Sequence, residues 1–391
     1  MIGITKARSS SFAAGLVLAL TLAGQAFGQS FETAAKQAIL LDHETGLVLF
    51  EKNADETMFP ASMSKIMTAL LVFDRLGDGS LTFDTKLPVS EKAWRMGGSK
   101  MFVRVGEEIR VEDLLRGIVV QSGNDASLVV AEAIGGSEAA FAELMTKRAR
   151  EIGLTGTVFR NSTGWPDPEH VTTARDLARL ADFVIRQYPQ FYSFYSEQEF
   201  TYGESLDGKP ITQSNRNPLL FQGVGADGLK TGHTEASGFG LTASGTRNDR
   251  RLVMVLNGME SVRERSQESR RLFDWGFRNF ANYALYKAGE TVDSAAVWLG
   301  DKPAVPLVLE NDLTVTLPSG SRSGMKVVVK YRGPVSTPIA KGQQIATLEV
   351  TGPGFEPMSR PLYAADDVGQ LAFFGRIGSA IRFIIFGAPS G

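Results

Sequence analysis

Two strand-forming hairpins bracket a helical middle, and that order constrains the fold more than any other feature of this chain. The first covers residues 38–50: an apolar AILL run, the turn residues Asp42-His43-Glu44-Thr45-Gly46, then LVLF. The second joins 238–247 to 251–258 across Asn248-Asp249-Arg250, and its VMVL run is apolar enough for a strand buried on both faces. Between them the apolar spacing is helical. Pro60 precedes a helical run over 61–76, and others cover 111–120 and 125–134. Ser137 reads as the cap of a helix reaching Glu151, and Thr173 as the cap of one reaching Gln187. A further helix is expected over 263–281. Strands first and last with helices between them predict an α/β domain with one antiparallel sheet flanked by helices, its N- and C-terminal strands paired.

With 391 residues there is material for two cored domains. After Ala288-Gly289 the pattern changes to short β-type runs (VWLG, LTVTL, KVVVKY, IATLEV) spaced by Gly, Pro and Ser. This predicts a first domain over 29–285 and a small all-β domain over 290–363. Residues 1–28 read as a secretory signal: Lys6 and Arg8, then an apolar run over 12–23, then the small residues Ala26 and Gly28. At the other end, 366–387 reads as an amphipathic helix. Leu371, Phe373, Phe374, Ile377, Ile381, Ile384 and Ile385 share one arc, and Arg376, Ser379 and Arg382 lie opposite. Such a helix is expected to lie on a membrane surface, because two Arg make a buried span costly.

Composition removes several function classes. There is no Cys, hence no disulfide, thiolate chemistry or iron–sulfur cluster. His43, His170 and His233 are scattered without a metal-binding spacing, so neither a metal nor another cofactor is expected. The net charge of −2 offers no basic field for nucleic acid.

Three short motifs carry chemistry. In Ser62-Met63-Ser64-Lys65 only Ser62 stands three residues before Lys65, a spacing that puts both side chains on one helix face. The Lys stem leans toward the helix start and brings its amine to the hydroxyl. Backbone N–H groups at that start can hold the oxyanion an activated serine generates. Ser122-Gly123-Asn124 joins two helices, and its hydroxyl and amide can relay a proton and bind an amide. Lys230-Thr231-Gly232 precedes the second hairpin; a cation and a hydroxyl there suit a carboxylate, and Gly232 would let a substrate backbone approach. Each alone has an ordinary reading: a surface Ser/Lys pair, a helix–helix turn, a solvated edge-strand Lys. All three, once each and in this order, form the set found in class A β-lactamases and penicillin-binding proteins.

On these residues the chain resembles the low-molecular-mass penicillin-binding proteins, specifically the D-alanyl-D-alanine carboxypeptidases. The likeness extends through Pro60-Ala61-Ser62, Leu115-Arg116-Gly117, the run Gln121 to Ala126, the run Asp227 to Gly232, and Trp275-Gly276-Phe277. It implies a β-lactamase/transpeptidase-like domain followed by a β-sandwich and a C-terminal amphipathic anchor. It implies an exported enzyme, periplasmic or on the outer face of the cytoplasmic membrane, that trims peptidoglycan stem pentapeptides and is blocked by β-lactams. It also assigns substrate-carboxylate binding to the Arg ten residues before that Trp-Gly-Phe stretch, here Arg265, with Arg263 close by. D,D-endopeptidase, weak β-lactamase and a non-catalytic cell-wall binder stay open as alternatives. Against β-lactamase, Glu169 lacks the following Asn of the Glu-x-x-x-Asn pattern; Thr173 stands there.

The roles expected are these. Ser62 is the nucleophile and Lys65 its base, neutralised by burial and by a neighbouring cation, Lys230. Ser122 passes a proton to the leaving amine, and Asn124 holds the substrate amide. Lys230, Thr231, Gly232 and Arg265 receive the terminal carboxylate end.

Overall fold

The run AILLD has no polar face to offer water before its last residue, and the fold buries it on both sides. The computed structural model describes residues 31–372 apart from 206, 354 and 355. It divides into two units, the first ending at Arg278 and the second beginning at Asn279.

In the first unit, β1 (Gln37–Asp42) and β2 (Val48–Lys52) form the expected hairpin. The last three strands are β7 (Ala226–Thr234), β8 (Gly238–Arg247) and β9 (Arg250–Met259). All pair antiparallel in the order β2-β1-β9-β8-β7, so β1 lies against β9, with Leu40 opposite Met254, and β7 forms an edge. Ile39, Leu41, Val253 and Val255 face one core with the central helices. Leu40 and Leu252 face the other side, where they touch Gly276 so closely that a Cβ there would lie 2.4 Å from Leu40. A sheet covered on both faces explains why its inner strands lack polar alternation.

The helical middle contains α1 (Lys65–Gly77), α2 (Glu91–Arg95), α3 (Val111–Val119), α4 (Asn124–Gly135), α5 (Glu138–Glu151), α6 (Ala174–Gln187) and the short α7 (Pro189–Tyr192). Two small antiparallel pairs accompany them: β3 (Lys86–Pro88) with β4 (Glu108–Arg110), on either side of α2, and β5 (Glu199–Glu204) with β6 (Pro210–Ser214), after α7. The predicted caps are real: Ser137 Oγ accepts from Ala140 N at 3.2 Å and Thr173 Oγ1 from Asp176 N at 3.0 Å. The segment expected as one helix over 61–76 instead begins with a 3₁₀ turn, Ala61–Ser64, before α1.

The last helix, α8 (Val262–Asn279), stops before the predicted Ala281. Phe280–Tyr286 is a strand, β10, which pairs with β13 (Leu313–Pro318). The expected first-domain limit at 285 is therefore moved back, because β10 finds its hydrogen bonds within the second unit. That unit is all-β, as expected. Its larger sheet joins β11 (Thr291–Trp298), β12 (Ala304–Val308), β14 (Lys326–Tyr331), β15 (Val335–Ser336), β16 (Gln344–Thr351) and β17 (Met358–Ala364). It also runs past the predicted end at 363. Val368 bridges Ile339 and Gln370 bridges Gly300, so 366–372 pairs as extended chain and does not begin a helix. The rest of the amphipathic segment and the signal-like residues 1–28 lie outside the described residues. Among the described residues no helix is long and apolar enough to cross a membrane.

Candidate active site

The 3₁₀ turn delivers Ser62 and Lys65 to one face, with Lys65 Nζ 3.0 Å from Ser62 Oγ. Ser62 is half-buried and Lys65 fully buried. Ala61, just before the serine, holds a positive φ of 47°, unusual for a residue with a Cβ, so the turn is held by its surroundings. One of those surroundings is Gly164, at φ 79°, where a Cβ would overlap the Ala61 carbonyl. Another is β7.

Lys65 has two further partners, and both are pure acceptors. Its Nζ donates to Asn124 Oδ1 at 2.7 Å and to the Thr163 carbonyl at 2.7 Å. These take two N–H groups, so the remaining position on nitrogen, a third proton or a lone pair, faces Ser62 Oγ. Burial first, and Arg216 after it, bring the Lys65 amine down to about 7 against the opposing influence of Asp125. At neutral pH a sizeable fraction therefore carries the lone pair a base requires. The cation expected to depress Lys65 was Lys230; Arg216 has that part, a residue no motif had marked. Arg216 leaves β6 on the segment toward β7, and its Nη1 reaches Ser99 Oγ at 2.6 Å.

Ser122 sits at φ 60° in the short link between α3 and α4, and that backbone turn aims its hydroxyl at β7. Lys230 Nζ donates to Ser122 Oγ at 3.0 Å and to the Thr231 carbonyl at 3.1 Å. Lys230 is held well below the usual lysine range, first by burial, then by Lys65, Arg216 and Arg265. Thr231 follows on the same strand and is buried.

Asn124, expected to hold the substrate amide, also orients the base: its oxygen accepts from Lys65, one N–H of its amide donates to the Gly97 carbonyl at 2.9 Å, and the second N–H is left for a substrate. One other site residue has a structural part that its motif did not announce. Gly232 was to admit a substrate backbone, but the approach is internal: a Cβ there would meet the Pro60 carbonyl at 2.7 Å and the Ala61 Cβ at 3.2 Å. Gly232 lets β7 close on the turn that carries Ser62.

Arg265 on α8 is buried, whereas Arg263 is exposed, which settles which of the two faces inward. Its Nη2 donates to the Arg216 carbonyl at 3.1 Å, and its Nε is buried without a hydrogen-bond partner. Its guanidinium carbon lies 5.9 Å from the centre of Phe239, whose ring stacks on His233 at 3.8 Å. Burial and Arg216 bring its guanidinium down to about 10, still a cation at neutral pH. An inward cation with an unused donor is what an anionic ligand end would meet.

The loop 161–170 locks onto the nucleophile turn through a pair that motif reading missed. His170 Nδ1 accepts from Arg160 N at 3.1 Å, so the proton sits on Nε2, 2.8 Å from Ser64 Oγ. Ser64 in turn donates to the Ala61 carbonyl at 2.8 Å. Burial, against the opposing influence of Asp167 and helped by Lys65 and Arg160, brings His170 down to about 4. Ser64, the alternative hydroxyl of the first motif, is thus fully engaged in structure. Glu169 is exposed and pairs with Arg160 at 3.3 Å, turned away from any deacylating role. Among the described residues no group of acidic or His side chains could hold a metal ion.

Residues 23–261 match the family described as D-alanyl-D-alanine carboxypeptidase, and residues 280–370 match the C-terminal domain of penicillin-binding protein 5. The D-alanyl-D-alanine carboxypeptidase DacC of Escherichia coli K12 is 36% identical over 351 residues, spanning 88% of this chain and 86% of that protein. Among solved structures, penicillin-binding protein 5 from Haemophilus influenzae superposes with a TM-score of 0.80 at 34% identity, covering 88% of this chain and 100% of that one. Penicillin-binding protein D2 from Listeria monocytogenes, in its ampicillin-bound form, gives a TM-score of 0.57 at 27% identity over 64% of this chain and 100% of that one.

Proposed function

The chain belongs to the D-alanyl-D-alanine carboxypeptidase family, within the low-molecular-mass penicillin-binding proteins, and from that premise we propose which of its residues carry the reaction. It is a serine-type hydrolase that removes the terminal D-Ala from peptidoglycan stem peptides through an acyl-enzyme. The observation that carries the residue roles is the environment of Lys65: a buried amine whose two N–H groups are spent on Asn124 and Thr163 and whose third position faces Ser62.

Ser62 Oγ attacks the carbonyl between the last two D-Ala residues and gives its proton to Lys65 Nζ. The oxyanion is held by the backbone N–H groups of Ser62 and His233. Ser122, hydrogen-bonded to Lys230, relays the proton that Lys65 took from Ser62 to the amine of the departing D-Ala, which leaves Lys65 neutral again. Thr231, Lys230 and the Arg265 cation draw the free carboxylate to the leaving side. Water then hydrolyses the ester, with Lys65 now taking the proton from water. A β-lactam presents a strained amide to the same serine and stays attached as an acyl-enzyme.

The signal-like 1–28 fits export to the periplasm, and the amphipathic 373–386 fits peripheral attachment to the outer face of the membrane. The reaction is tested by incubating the protein with a stem pentapeptide and with a D,D-cross-linked dimer, then weighing the products. Loss of one D-Ala from the pentapeptide, with the dimer cleaved slowly or not at all, is the expected result. Preferential cleavage of the dimer would make it an endopeptidase.

A further inference from the structure

Residues 161–170 belong to no helix or strand, so their backbone groups need partners of another kind. One half-buried side chain serves three consecutive N–H groups. Asn161 Oδ1 accepts from Thr163 N at 3.2 Å, Gly164 N at 2.8 Å and Trp165 N at 3.0 Å, and also from Thr163 Oγ1 at 3.1 Å. Backbone N–H groups only donate, so the atom they share is the amide oxygen. The Nδ2 of the same amide donates to the Trp165 carbonyl at 3.0 Å.

The peptide unit between Thr163 and Gly164 shows what this grip accomplishes. In a trans peptide the C=O and the following N–H point in opposite directions from one rigid plane. Here the Gly164 N–H is held by Asn161 at 2.8 Å, and at the other end the Thr163 carbonyl receives Lys65 Nζ at 2.7 Å. Holding one end aims the other. Gly164 itself, at φ 79°, lies against the Ala61 carbonyl that precedes Ser62. The neighbouring anchors act one residue earlier: the Ser162 carbonyl accepts from Thr68 Oγ1 on α1 at 2.6 Å, and its hydroxyl donates to Glu138 Oε1 at 3.0 Å. They fix where the loop enters and leave the direction of the next carbonyl to Asn161.

We propose that Asn161 is a positioning residue for acylation: its grip on the Gly164 N–H turns the Thr163 carbonyl onto Lys65 and seats Gly164 against the turn that carries Ser62. The proposal rests on the reading of Lys65 as the base and adds a residue that lies outside all three motifs. Without the amide oxygen the plane is free to rotate, and one N–H of Lys65 loses its acceptor. The amine then no longer presents its remaining position to Ser62. A loosened loop also admits water to a lysine whose lowered pKa comes first from burial, which raises it again.

The test measures the second-order rate of acylation by fluorescent penicillin across pH, divided by the number of sites finally labelled. That division removes any loss through misfolded protein. Asn161→Ala deletes the oxygen, Asn161→Gln moves it one methylene away, and Asn161→Asp keeps it in place and gives up only the Nδ2 donor. Asn161→Ala and Asn161→Gln are expected to slow acylation per site about ten- to a hundredfold, the scale of a small misplacement of a reacting group. Their rise with pH should lie above the wild-type rise at about 7. Asn161→Asp is compared at the alkaline plateau, where Lys65 is neutral whatever the added charge does to it, and should return to within a few-fold of wild type. If either Asn161→Ala or Asn161→Gln fails to fold, the other decides. A wild-type rate per site in the folded variant, with the rise unmoved, would show that Asn161 only holds the loop and overturns the proposal. So would an Asn161→Asp plateau as slow as that of Asn161→Gln. Both results leave the serine mechanism standing, whereas a wild type that penicillin does not label removes that mechanism and this role with it.

Discussion

The side-chain oxygen of Asn124 stands 2.7 Å from the amine of Lys65, joining two motifs 59 positions apart. Because that oxygen is neutral, it aims the amine without favouring its charged form as a carboxylate would. The base can therefore be both tightly held and partly unprotonated near pH 7.

Asn124→Asp is expected to undo this balance. Lys65 must be neutral to accept the Ser62 proton, so wild-type kcat/KM should rise with pH through about 7. A carboxylate at hydrogen-bond distance stabilises the ammonium and moves that rise to higher pH by about one unit or more, with about a tenfold loss at pH 7. The pH profile of kcat/KM decides it. A rise left in place would mean that another group is titrating.

Ser62→Ala should abolish covalent penicillin labelling and leave the fold intact. Ser64→Ala should keep labelling but strand the buried Nε2–H of His170, costing about 1–3 kcal/mol of stability. Gel labelling and urea unfolding of the two variants separate nucleophile from scaffold. Labelling lost only in Ser64→Ala would reverse the assignment.

Arg265 should read the free carboxylate of the substrate. Amidating that carboxylate is expected to depress kcat/KM about ten- to a hundredfold in the wild type, the worth of one charged hydrogen bond. In Arg265→Ala the same amidation should matter much less, because the partner is already gone. Equal penalties would show that the carboxylate is held elsewhere.

His170 should make the protein acid-sensitive in a definite window. Its folded pKa, about 4, lies below the ordinary 6.5. Between those values the unfolded chain binds a proton that the folded chain refuses, so stability falls as pH drops from about 6.5 to 4 and is not lost further below that. The full effect is on the order of 3 kcal/mol. Urea midpoints measured across this range, wild type against His170→Gln, isolate it from the carboxylates. Parallel curves for the two proteins would show that folding leaves the His170 pKa where it is in the unfolded chain.

Removing residues after Ala372 should release the protein from lipid vesicles while penicillin labelling continues. A cut after Tyr363 would instead discard Ala364 and Val368, both buried in the second unit, along with the bridge from Val368 to Ile339. Vesicle co-sedimentation of full-length and shortened chains checks this; equal pelleting would place attachment elsewhere.

What could be read from the chain alone was local or strongly patterned. The Ser62–Lys65 pairing follows from a three-residue spacing, and the Ser137 and Thr173 caps bond to amides three residues on. The two hairpins announced themselves by apolar runs around polar turns. The three motifs together pointed to the chemistry because each fell in the type of element that such a site requires. Two ends were misjudged for one reason: nothing in the local pattern says that residues 280–286 and 366–372 will find strand partners in the β unit.

The working arrangement was decided by the tertiary fold. Pairing β1 with β9 closes the sheet and leaves β7 at its edge, against the turn that carries Ser62. Only then do Lys230 and Ser122, 108 positions apart, come within 3.0 Å, and Lys65 meets the Thr163 carbonyl from 98 positions away. That closure put the Asn124 oxygen on the base and Gly232 against the turn that carries Ser62, and it gave Arg216 the influence on Lys65 expected of Lys230. A spacing of three residues fixes a distance by helix geometry. Contacts across a hundred residues, and the desolvation that sets a lysine near neutrality, exist only once the core has formed around them.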